Sequence, residues 1–146
     1  MTGSEAALLA LVVASALHLG FQLTVTMVVY PALARVSDAD WLAAHARHGR
    51  AITPLVVLTY GALVLSGVWA LVAAAGVALT WVIISVSGAA LAMLTTAFLA
   101  APTHGRLGTG REERLVARLL QVDRWRALGA VVSFAGAVLA LTTGAG

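Results

Sequence analysis

Four histidines, an aspartate set in an apolar stretch and the arginine three residues after it are the side chains here with chemistry to offer. His45 and His48, spaced i and i+3, place both rings on one helical face, where they could meet a single ion or exchange a proton. His104 follows Pro102 in a different apolar run. Asp123 aligns with Val116, Leu119, Leu120 and Ala127, so its carboxylate lies on an apolar face and requires a partner, with Arg126 within reach. With Tyr30, this is an inventory for general acid–base work: imidazoles that titrate near neutral pH, a carboxylate and a phenol. The same inventory suits a mononuclear metal at His45, His48 and His104, although H-x-x-H also describes interfacial histidines bonded to lipid or backbone. The sequence requires no metal and no other cofactor. Asp123 and Arg126 could equally be a structural ion pair.

The elements that must position these groups are membrane spans. From Ala6 to Ala34 there is no formal charge, and only His18 and Gln22 are strongly polar. At about 100° per residue, Ser15, His18, Gln22, Thr26 and Tyr30 fall within about 60° of one line. A helix that is apolar nearly all round, with one polar stripe, belongs in a bilayer with the stripe facing protein. His18 lies roughly 18 Å along the helix from Tyr30. That stripe is either a binding surface or hydrogen-bonded helix glue.

No acid, Lys or Arg occurs between Arg50 and Arg106, enough chain for two spans of about 20 residues with a turn at Ala73–Gly76. The spacing predicts spans over 6–34, 52–75, 78–101 and 123–142. Two short amphipathic helices are expected at the interface. One runs over 38–50, opened by a capping box at Ser37–Asp40; the other runs over 111–126 and leads into the last span. Pro102 and the following glycines read as a loop. The expected architecture is an all-α four-helix transmembrane bundle in one domain. No positive n-region precedes the first run, so it reads as a retained span and not as a signal peptide.

Charge predicts orientation and excludes one class of function. All nine Lys/Arg residues are arginines, and they lie in the two segments joining spans one to two and three to four, with Arg124 and Arg126 at the entry to the last span. The positive-inside rule makes both segments cytoplasmic and both termini external. Trp41 and Trp125 are then expected at the inner boundary, with Trp69 and Trp81 at the outer one. Topology and anionic inner-leaflet lipid account for the net charge of +3, leaving no basis for nucleic-acid binding. The absence of cysteine excludes disulfides, thiolate metal sites and dithiol quinone reduction. Gly129, Ser133, Gly136 and Ala140 form a stripe of small residues, as do Ser85, Gly88, Ala92 and Thr96. Both suit close helix packing within the chain or in a homo-oligomer.

The order Y-P-A-L (Tyr30–Leu33), W-x3-H-x2-H (Trp41–His48), A-P-x-H-x-x-L (Ala101–Leu107) and D-x-x-R (Asp123–Arg126) resembles the anthrone-oxygenase-like family of small four-helix membrane proteins. That family carries asparagine in its V-P-x-N turn and N-x-x-R pair, where this chain has His104 and Asp123. The resemblance implies oxidation of polyketide anthrones without a known cofactor.

The expected function is therefore a small membrane oxidoreductase. It would take a hydrophobic, aromatic or quinone-like molecule into a pocket open to the inner leaflet. His104, Asp123, His45 and His48 are the candidate catalytic residues. His18, Gln22, Tyr30, Tyr60 and Arg126 are the candidate substrate contacts. The expected partners are the lipid bilayer and a lipophilic small molecule. From a different class, the chain could be a non-enzymatic membrane protein: an oligomeric scaffold, a transporter subunit or a metal- or haem-binding helper.

Overall fold

Loss of polar backbone to hydrocarbon is the dominant penalty for a chain this apolar, and continuous helices avoid it by bonding every peptide internally. The computed structural model describes residues 1–144 and contains four long helices: α1 (Gly3–Ala34), α2 (Trp41–Ala73), α3 (Gly76–Leu107) and α4 (Glu113–Gly144). All four are long and apolar enough to cross a membrane. The bundle is apolar outside, with Val72 82 %, Leu65 75 %, Met27 72 % and Phe98 71 % exposed, while His18 and Gln22 are fully enclosed. That is the reverse of a water-soluble protein and the arrangement a lipid solvent favours.

Neither interfacial helix exists as a separate element. The turn Ser37–Asp40 precedes α2, which begins at Trp41 and continues without a break past Pro54 to Ala73. Pro54 cannot donate to the carbonyl of Arg50, yet the helix runs through it unbroken. Residues 113–126 are the opening turns of α4. A helix of 32 residues is about 48 Å long, against a hydrocarbon core of about 30 Å. The histidine- and arginine-bearing turns are therefore extensions of the spans. Likewise, Pro102 does not end α3, which continues to Leu107.

Two of the three prolines, Pro31 and Pro102, leave a mark on the helices they interrupt. Directly before Pro31 and before Pro102, the helix widens into a π turn, Val25–Val29 in α1 and Thr96–Ala100 in α3. The Tyr30 amide bonds the carbonyl of Val25, and the Ala101 amide bonds that of Thr96, each five residues back. A proline ring crowds the carbonyl four residues before it, and one inserted residue per turn relieves the crowding. α1 and α3 thus bulge at equivalent places near the arginine-rich end.

α4 is the central helix, packing on α3 and α1, whereas α2 leans on α1 and meets α3 only sparsely. The two small-residue stripes face each other across α3 and α4. The Ser85 hydroxyl donates to the Ser133 carbonyl at 2.7 Å, and the Gly136 backbone lies directly against Ser85. At the arginine-rich end a core forms from Val25, Leu33, Trp41, Leu107, Leu115 and Leu119; at the other, Leu8, Leu11, Ala70, Val82 and Ala137 close the bundle. Trp41 is 1 % exposed and belongs to that core, not to an interfacial belt. Its indole N–H donates to the Leu107 carbonyl at 2.9 Å and its ring stacks on His45. Arg111 latches the segment before α4 to the one before α2, donating to Asp38 at 2.8 Å and to the Ala34 carbonyl at 3.1 Å.

Candidate functional site

Between the two apolar cores the helices turn their polar residues on one another. Asp123 and Arg126, one turn apart on α4, are 1 % and 3 % exposed and 3.1 Å apart, Oδ1 to Nη1. A carboxylate at this depth is stable only if its lone pairs are filled. Here α1 supplies the donors: Gln22 Nε2 reaches Asp123 Oδ1 at 2.7 Å, and Thr26 Oγ1 reaches Oδ2 at 2.6 Å. Thr26 sits in the π turn of α1, and the wider turn carries its hydroxyl to α4.

From Arg126 a line of hydrogen bonds runs towards α2. Arg126 Nη1 donates to Tyr30 Oη at 3.2 Å, Tyr30 Oη lies 2.9 Å from His104 Nε2, and His104 Nδ1 lies 3.1 Å from His45 Nε2. A guanidinium only donates, so Tyr30 Oη accepts from Arg126, and with His104 in its Nδ1–H tautomer the Tyr30 hydrogen goes to His104 Nε2. A neutral His104 then carries its hydrogen on Nδ1, facing His45 Nε2. In this tautomer every donor points the same way, from α4 through α1 and α3 to α2.

A cavity of about 320 Å³ lies along this line, between the sparsely packed α2 and α3. Tyr30, His45, His104, Arg126 and Thr96 give it polar groups, and Val25, Ile52, Val56, Val57 and Ala100 give it apolar walls. Val25, Thr96 and Ala100 come from the two π turns, so both proline-induced bulges shape the cavity. An apolar pocket with a few convergent polar groups is the usual form of a small-molecule site. A second cleft of about 280 Å³ between the other halves of α2 and α3 is lined by Leu63, Val64, Met93 and other apolar residues, and has no group for chemistry.

Four of the expected residues, Tyr30, His45, His104 and Arg126, therefore meet at one cavity. Asp123 stands behind Arg126, and His48 stacks on His104 at 5.6 Å between centroids, outside the lining. His18 and Gln22, expected among the substrate contacts, do not line it either. Tyr60 touches both regions: its hydroxyl lies 2.6 Å from Thr96 Oγ1, and its ring meets His18 edge-on at 5.3 Å. Among the described residues no three His, Asp or Glu side chains are grouped to hold a metal ion. The ring planes of His48 and His104 lie 27° apart, face to face, an arrangement that does not aim their nitrogens at a common centre.

Thr26 and Thr96 join the site without having been singled out for it. Thr26 was legible as part of the polar stripe. The π turns that aim both residues had no sequence signal beyond Pro31 and Pro102. Compared with family descriptions, curated proteins and solved structures, the chain has no match.

Proposed function

We propose that this chain is an integral membrane oxidoreductase that draws a hydrophobic, aromatic or quinone-like molecule from the inner leaflet into the cavity beside His104. The observation that carries this reading is the continuous line of hydrogen bonds from Arg126 to His45 along the wall of an otherwise apolar cavity. The arginine distribution supports an orientation with the cavity end cytoplasmic and both termini external.

Tyr30 presents its hydroxyl to the cavity with a guanidinium beside it and an imidazole to take its proton. Passing that proton through His104 to His45 leaves a phenolate that Arg126 stabilises, and the phenolate removes a proton from an acidic C–H or O–H of the ligand. Asp123 holds Arg126 in place and does not meet the ligand. With an anthrone as substrate and dioxygen as oxidant, the ring methylene loses both hydrogens. One oxygen atom becomes the new carbonyl and the other leaves as water. The sequence resemblance to anthrone-oxygenase-like proteins supports this choice of substrate.

The scaffold alternative takes the polar stripe of α1 as helix glue, and a homo-oligomer would use the stripes of small residues. Those stripes are already occupied by the contact between α3 and α4.

The test uses purified protein in lipid nanodiscs, supplied with anthrone in air. Quinone absorbance and oxygen uptake are followed for the unmodified chain and for His104→Ala. The reading expects turnover that His104→Ala removes. Absence of both binding and turnover, with anthrone and with a simple naphthoquinone, would sink it.

A further inference from the structure

Around the Asp123–Arg126 pair, α1 brings a second set of buried polar atoms. His18 and Gln22 are 0 % exposed and Arg126 is 3 % exposed. No described residue offers a hydrogen-bond partner to His18 Nδ1, His18 Nε2, Gln22 Oε1 or Arg126 Nε. These atoms belong to one neighbourhood. Gln22 Nε2 and Arg126 Nη1 share the same acceptor, Asp123 Oδ1, at 2.7 and 3.1 Å, and His18 is one helical turn from Gln22. Leaving a buried polar atom unpaired costs about 1–3 kcal/mol, and four together are far from ordinary in a native interior.

The donor and acceptor types define what fits. Arg126 Nε only donates, Gln22 Oε1 only accepts, and a neutral imidazole does one of each. Arg126 is already neutralised by Asp123, so the site has no net charge to hold an ion. A group that both donates and accepts satisfies all of them. We propose that His18, Gln22 and Arg126 bind a neutral hydroxyl group at the centre of the bundle, either that of water or that of a lipophilic alcohol or phenol. Buried waters are held by such sets of two to four polar partners. With the hydroxyl in place, Arg126 joins two sites, one through Nη1 and one through Nε, and the line of hydrogen bonds from His45 extends to His18.

This site goes beyond the oxidoreductase reading and stands without it, because water satisfies it even if no aromatic ligand enters the cavity. The experiment is water-edited solid-state nitrogen NMR on the whole protein in bilayers, labelled at the histidine rings. His18 is identified by the signals missing in His18→Phe. Should that variant not fold, replacing His45, His48 and His104 singly identifies His18 by elimination. Transfer from water protons to the His18 nitrogens supports a bound water. Transfer that appears only after 2-naphthol is added, from the naphthol hydroxyl, supports a ligand hydroxyl. No transfer from either source overturns the proposal.

Discussion

Tyr30 Oη and His104 Nε2, 2.9 Å apart, join α1 to α3 through residues that each follow a proline-induced π turn. The contact closes the gap between Arg126 and His45, so it is the link on which the proposed proton path depends. Tyr30→Phe keeps the ring and deletes the link. The expected result is loss of proton transfer and turnover, with a stability decrease of about 1–3 kcal/mol from the partners left unpaired. Thermal unfolding in detergent, run beside the nanodisc assay, checks both halves. Full turnover in Tyr30→Phe would rule out the path.

Asp123→Asn retains shape but leaves Arg126 as a buried cation without its counter-ion. Breaking one partner of a buried pair costs about 3–5 kcal/mol, so the variant is expected to unfold well before the parent protein. The double change Asp123→Asn with Arg126→Gln removes both charges and should recover most of that loss. Equal stability of Asp123→Asn and the parent would show that the pair contributes nothing.

Gly88 and Gly129 lie back to back where α3 crosses α4. A Cβ on Gly88 would stand 2.7 Å from the Gly129 carbonyl oxygen, and one on Gly129 would stand 2.6 Å from that of Gly88. Both obstructing atoms are backbone, so the helices themselves must part. Gly88→Ala and Gly129→Ala are each expected to cost at least about 1–3 kcal/mol. Gly61, with nothing within 4 Å of its Cβ position, is the control. Gly61→Ala should be neutral or stabilising by up to about 1 kcal/mol, through helix propensity. Unfolding curves that rank Gly61→Ala with the other two would contradict the contact.

The arginine distribution predicts where reporters will be read. A periplasm-active reporter fused after residue 146 should be active, and one inserted between Gly108 and Gly110 should be silent. The opposite pattern would invert the bundle and place the cavity at the external face.

Four spans, the end at which the histidines gather and the partnership of Asp123 with Arg126 were all written in the sequence. Each depends on local quantities: hydropathy over a window, helical periodicity, or a three-residue spacing. The helix ends were less legible. Pro31 and Pro102 look like terminators, yet the helices absorb them as π turns, because ending a helix here would expose more backbone than widening one turn does. Trp41 likewise resembled an interfacial tryptophan, because no local pattern reveals that the carbonyl of Leu107 waits for its N–H. Only the tertiary structure decided which polar groups share a cavity. His18 and Tyr30 lie on the same stripe of α1, but Tyr30 faces the opening between α2 and α3 while His18 faces the closed middle of the bundle. Side-chain hydrogen bonds across helices depend on how close the backbones come. That distance is governed by the contact at Gly88, Gly129 and Gly136, a property of two helices together that neither helix's sequence states alone.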